Sequence, residues 1–90
     1  MQMKFIRNIQ FTKLVKTEGR LREFNFRKSN GLQEGIFTID VSDDRGYRIV
    51  FHMQKEDNIW KILPQQLPAW IHENEVRLGE LIEEELPMGS

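Results

Sequence analysis

Phe37-Thr38-Ile39-Asp40-Val41-Ser42, then Asp43-Asp44-Arg45-Gly46, then Tyr47-Arg48-Ile49-Val50-Phe51-His52-Met53 is the stretch that decides the fold. Apolar and polar residues alternate on both sides of a turn sequence, and a period of two marks half-buried strands. A three-residue loop, Asp44-Arg45-Gly46, needs a left-handed residue at its third position, which glycine supplies without steric cost. That loop sets Asp43 opposite Tyr47. It then sets Val41 opposite Ile49, Ile39 opposite Phe51 and Phe37 opposite Met53. The last three pairs are apolar on both strands, so turn chemistry and hydrophobic pattern agree. A slip of one residue would send every side chain of one strand to the wrong face.

On the N-terminal side, Phe24 and Phe26 share a face opposite Glu23, Asn25 and Arg27. Met3 to Val15 reads as a strand with Phe5, Ile9, Phe11 and Val15 on one face, interrupted by Arg7 and Lys13. The turn between these strands falls at Thr17-Glu18-Gly19-Arg20. A three-residue loop there would set Phe24 against Thr12, which mismatches the faces. A two-residue Glu18-Gly19 loop sets Phe11 against Phe26, which suits the faces but uses a poorer turn sequence. Ser29 to Gly35 reads as a loop. Lys55-Glu56-Asp57-Asn58 reads as a turn, and Ile59–Leu63 as a short strand.

The C-terminal element reads as one helix. Pro68 suits a first helical position, where its missing N–H costs nothing. At 100° per residue, Leu67, Trp70, Ile71, Leu78, Leu81 and Ile82 fall within an arc of roughly 120°. Glu73 and Arg77 sit four apart in the favourable order. Glu83-Glu84-Glu85 opposes the helix dipole, which predicts a frayed last turn. The fold class is α+β: an antiparallel β-meander of four to five strands packed on one C-terminal amphipathic helix. Residues 1–86 read as a single domain and 87–90 as a loose tail or expression remnant.

Charge is split along the chain. Residues 1–30 carry eight basic residues (Lys4, Arg7, Lys13, Lys16, Arg20, Arg22, Arg27 and Lys28) against Glu18 and Glu23, a balance of +6. Residues 31–90 carry five basic and twelve acidic residues, a balance of −7. Such asymmetry points to a polyanion partner, to pairing within the molecule, or to pairing between copies. The eight basic residues are the candidate polyanion-binding set. If they share one concave face, single-stranded nucleic acid is the reading; if they scatter or pair with the helix carboxylates, they are ordinary surface.

The chain holds no cysteine, which excludes disulfides, thiolate metal sites and thiol catalysis. Its two histidines, His52 and His72, fall on solvent faces and share no ligand spacing. There is no Gly-rich phosphate loop and no nucleophile elbow. No catalytic residue, cofactor or metal is therefore expected, and the chain reads as non-enzymatic. No apolar run exceeds three residues, so no membrane segment is expected, and a cytoplasmic location is the default.

Asn74 lies within the apolar arc of the helix. It is either a core residue bonded to the backbone of the sheet or, with Leu78, part of an interface with a partner subunit. Gly79, near the edge of that arc, suits a close approach to a strand. Trp70 and Trp60 both read as core.

The order of elements over about residues 5–85 resembles the modules of the Whirly and PUR-repeat nucleic-acid-binding families. The resemblance implies paired modules whose curved sheets grip single strands. It is one of architecture, and no family motif transfers to a position of this chain. The leading expectation is a module acting through a protein partner or self-association, with a β edge at Met3–Val15. Nucleic-acid binding through the basic strands is the alternative.

Overall fold

The structure is a computed structural model that describes residues 9–28 and 35–86. Five strands form one sheet: β1 (Gln10–Thr17), β2 (Arg20–Lys28), β3 (Ile36–Ser42), β4 (Arg48–Glu56) and β5 (Ile59–Ile62). Their order in space is their order in sequence, and every neighbouring pair is antiparallel. Two helical segments follow among the described residues, α1 (Ala69–His72) and α2 (Glu75–Glu85). The sheet curls into a half-barrel around them, the α+β meander that the alternating pattern predicts.

The β3–β4 register is the predicted one, with Val41 opposite Ile49, Ile39 opposite Phe51 and Phe37 opposite Met53. Gly46 takes φ +86 at the third loop position. Asp43 finishes the turn: its carboxylate accepts from the backbone N–H of Arg45 at 2.9 Å and of Tyr47 at 2.8 Å. Such local side-chain bonds favour an Asp at the start of a turn.

The β1–β2 register, which the sequence leaves open, follows the faces rather than the turn residues. Phe11 lies opposite Phe26, and their rings stack with centroids 4.6 Å apart. The two-residue loop puts both Glu18 (φ +50) and Gly19 (φ +78) in the left-handed region. A non-glycine residue there costs roughly 1–2 kcal/mol, which the aromatic pairing offsets. The β4–β5 turn works the same way at Asp57 and Asn58, both with positive φ. Strand β4 therefore runs through Lys55 and Glu56, which the sequence places in the turn.

Inward side chains of the sheet and one face of the helical region make a single core. Phe24, Phe26, Phe37, Ile39, Phe51 and Met53 from the strands meet Ile71, Leu78, Leu81 and Ile82. Gly79 is buried because α2 crosses closely over β5. A Cβ at that position would lie 2.7 Å from Trp60 Cβ, so only glycine lets α2 sit there undistorted.

The single predicted helix is two. Asn74 Nδ2 donates to the Trp70 carbonyl at 2.7 Å, taking the acceptor that the Asn74 backbone N–H would use in a continuous helix. That N–H turns instead to Ile71 O, three residues back. A side chain that competes for its own helix ladder breaks it. Pro68, expected at the first helical position, stands one place earlier, as the residue that caps α1. Glu73 is separated from Arg77 by the break, and Arg77 turns to Glu80 at 3.3 Å. The acidic last turn is held from the sheet: Lys55 reaches Glu83 at 2.7 Å and Lys13 reaches Glu85 at 2.9 Å. Those cations oppose the unfavourable dipole interaction that predicts fraying there.

Candidate protein-interaction surface

Lys4 and Arg7 of the candidate polyanion set, like residues 87–90, lie outside the described residues. The other six do not share a face. Lys16 and Arg27 have the parity of the sheet's outer side, while Lys13, Arg20, Arg22 and Lys28 have that of the inner side. Lys13 is bound to Glu85, which is where the basic hairpin meets the acidic helix.

Arg22 is 7 % exposed and points inward beside Phe24. Its Nε donates to Thr17 Oγ1, and Nη1 reaches Asp44 Oδ1 at 2.9 Å. Its guanidinium lies 4.2 Å from the centroid of the Trp70 ring. Arg20 meets the same Asp44 oxygen at 2.7 Å. Two arginines of β2 thus tie the first hairpin to the β3–β4 turn. An arginine so satisfied at every side is a clamp rather than a phosphate ligand.

A polar row crosses the outer face. Thr12 Oγ1 donates to Asn25 Oδ1 at 2.7 Å, and Asn25 Nδ2 donates to Asp40 Oδ1 at 3.0 Å. Arg48 completes it with Asp40 Oδ2 at 3.0 Å. Burial alone would raise the Asp40 pKa. The hydrogen bond from Asn25 and the charge and hydrogen bond of Arg48 outweigh it and hold the carboxyl below its ordinary value. The outer face is cross-linked within itself, and among the described residues it presents no Phe, Tyr or Trp ring for base stacking.

Among the described residues, no cluster of three His, Asp or Glu is placed to hold a metal ion, and no helix is long and apolar enough to cross a membrane. His52 and His72 are both exposed. The candidate interface pair separates: Leu78 is fully buried within the single chain, and Asn74 is half-buried at the helix break. Neither forms an open apolar face, because the core of this chain already covers that arc.

What remains open is the two edges of the sheet. In β1 the two-residue loop makes Thr17 and Arg20 a hydrogen-bonded pair, and the antiparallel alternation continues through Val15–Arg22, Lys13–Phe24 and Phe11–Phe26. The backbone groups of Gln10, Thr12, Leu14 and Lys16 therefore point away from β2. No strand among the described residues pairs with that side. Leu14 and Leu21, diagonal neighbours on the outer face, are 65 % and 66 % exposed. At the opposite edge, the same alternation leaves the backbone groups of Trp60 and Ile62 pointing away from β4. Glu75 Oε2 accepts from the Ile62 N–H at 2.7 Å, filling one of those positions from α2.

The β1 edge was half legible in the alternating pattern. The β5 edge was not, since it exists only where α2 lies against β5. No protein-family model matches this sequence, and neither the curated proteins nor the solved structures contain a match to it. The architectural likeness to Whirly and PUR-repeat modules thus carries no argument about function, which rests on the edges and faces of this molecule.

Proposed function

We propose that this chain is a non-enzymatic protein-binding module that self-associates through the β1 edge. The observation that carries the reading is an eight-residue edge strand, β1, with an exposed leucine pair beside it. Natural edge strands are usually shortened, kinked by proline or covered, because an open one templates pairing. β1 contains no proline, and its inward charge, Lys13, is already matched by Glu85.

Charge selects the register of such a pair. An antiparallel pairing centred on Lys13 would oppose Lys13 to its own copy, and like charges directly opposite are unfavourable. Centred on Leu14, the pairing sets Leu14 against Leu14, Lys16 against Thr12 and Lys13 against Val15. The two copies then bring four leucines, two Leu14 and two Leu21, together on the outer face. An edge pairing of this length is a small interface, so the association is weak and concentration-dependent.

Light scattering across a wide dilution range tests it. The expected result is a mass that rises towards the dimer with concentration, and Leu14→Lys should hold the chain monomeric without unfolding it. A monomeric mass at every concentration overturns the reading. Retention of single-stranded oligonucleotide at low salt and its loss at high salt, in a chain that stays monomeric, would put nucleic acid in its place.

A further inference from the structure

The second edge carries a different site. An open groove of about 490 Å³ runs between β5 and α2. One wall is Asn58, Ile59, Trp60 and Lys61, and the other includes Val76, Gly79, Glu80 and Glu84. Val76 on the helix wall is 71 % exposed, and Ile59, whose side chain has the parity of the outer face, is 55 % exposed at the rim. Four glutamates line the groove (Glu75, Glu80, Glu83 and Glu84) against one lysine, Lys61. Glu83 is already committed to Lys55 and to Trp60 Nε1, the latter at 2.8 Å. Among the described residues, Glu80 and Glu84 share the exposed Arg77, at 3.3 and 4.0 Å.

The backbone of this edge is as specific as its side chains. Trp60 presents its N–H and C=O outward, the pair of groups that an added antiparallel strand takes up. Two positions along, the Glu75 carboxylate occupies the Ile62 N–H where a strand's carbonyl would sit. We propose that the groove between β5 and α2 receives a short, extended, basic peptide, which adds to the sheet as a sixth strand at Trp60.

Strand geometry fixes the pattern of that peptide. The residue opposite Trp60 shares its face, so its side chain enters the groove beside Val76 and Gly79 and should be apolar. Residues two positions away on each side point the same way, and cations there meet Glu80, Glu84 and Glu75. The residues between point to the outer face beside Ile59 and Lys61. Backbone bonds supply affinity and the alternate side chains supply choice, the general logic of strand addition to a sheet edge. The site does not depend on β1 and would serve a monomer or a dimer alike.

The test uses three blocked pentapeptides titrated into isotope-labelled chain and followed by amide shifts in NMR: Lys-Thr-Val-Thr-Lys, Glu-Thr-Val-Thr-Glu and Lys-Thr-Pro-Thr-Lys. The first should shift the amides of residues 59–62 and 75–84 and leave residues 10–17 unmoved. The second should fail on charge, and the third should fail because proline cannot donate to the Trp60 carbonyl. Val76→Lys and Glu80→Lys, both at exposed positions, should each weaken the first peptide by roughly tenfold, about 1.4 kcal/mol, while the unbound spectra stay folded. Equal binding of the acidic or the proline peptide overturns the proposal, as does indifference to both substitutions. Shifts confined to residues 10–17 also overturn it and leave the β1 reading standing. Run in the Leu14→Lys background, the same titration separates the two: peptide binding should survive there whether or not the parent chain dimerises.

Discussion

The two edges of this sheet meet the same hazard, unpaired backbone, by opposite means. β5 has four residues, α2 lies across it, and a glutamate from that helix fills one of its outward N–H groups. β1 has eight residues, and no helix lies along its outward side among the described residues. The difference originates in chain order. The meander ends at β5 and the chain turns back over it, so the last strand is covered by the helical region. The last turn of the helix meets the first strand through Lys13 and Glu85. A meander closed by one short helical region protects the edge next to that region and leaves the distant one to find a partner.

Filling the contact that seats α2 should have the largest effect. Gly79→Ala gains about 1 kcal/mol of helix propensity. The new methyl group, however, would lie against the base of the Trp60 side chain, which cannot swing aside. Overpacking of this kind costs roughly 1–3 kcal/mol, so the variant should unfold at lower urea than the parent in spite of its better helix former. It should also loosen the cover over β5. Faster amide exchange at Ile62, whose N–H is bonded to Glu75, with residues 10–17 unchanged, would confirm that the protection of β5 is local; an unchanged or higher midpoint would break the comparison.

Arg22→Met tests the β1 side. It keeps the aliphatic packing on Trp70 but removes the guanidinium from Thr17 and Asp44. Thr17, which is 1 % exposed, loses its partner, and a buried polar group so stranded costs about 1–3 kcal/mol. Asp44 retains Arg20, so the loss should fall at the lower end. Urea unfolding reads the change directly. A midpoint equal to the parent's would mean that the clamp is not what fixes the first hairpin.

These two sites also show how much was legible in the sequence. The β3–β4 hairpin was fully readable, because Gly46 and three apolar pairs demand one register. In the β1–β2 hairpin the turn residues and the faces disagree, and only the packing of Phe11 on Phe26 decides. That Arg22 points inward is implied by its parity with Phe24, but its burial depends on Trp70, some fifty positions along the chain, arriving over it. The break at Asn74 was hidden by an apolar arc that runs through it unaltered. Side-chain competition for one carbonyl leaves no trace in periodicity. The groove at β5 has no local signal at all, since its walls are Asn58–Lys61 and residues of α2.

Acid should act on both sides of the comparison, more on the polar row than on the helix. Asp40 and Glu83 are each held below their ordinary values of 3.8 and 4.5. For Glu83 the causes are the bonds from Lys55 and Trp60. A carboxyl lowered in the folded state adds stability that is complete above its unfolded pKa and disappears as pH falls through the folded one. Stability should therefore be level near neutrality and decline below about pH 4. Asp40→Asn should cost about 1 kcal/mol at neutral pH and flatten that decline. Glu83→Gln should flatten it less, because Glu83 is half-exposed and its pairing is screened. Urea midpoints at neutral and acid pH give both slopes, and a steeper acid limb in Asp40→Asn would reverse the sign assigned to the row.

The smallest change is the one that makes the two edges alike. Glu75 does for the Ile62 N–H what a neighbouring strand would do, and it does so from the first turn of α2, where a carboxylate is also favoured by the helix dipole. Glu75→Ala removes both effects and should cost about 0.5–1.5 kcal/mol, a modest shift in midpoint. Its consequence for association should exceed its consequence for stability. With Trp60 and Ile62 both presenting free outward groups, β5 becomes a second template, and a chain with two open edges has no closed dimer in which to stop. Light scattering should then show mass growing past the dimer with concentration, where the parent levels off. In the Leu14→Lys background the same substitution should restore association at the other edge. If the Glu75→Ala chain behaves as the parent does, coverage by α2 rather than the single carboxylate guards β5, and the asymmetry of the two edges resides in the helix alone.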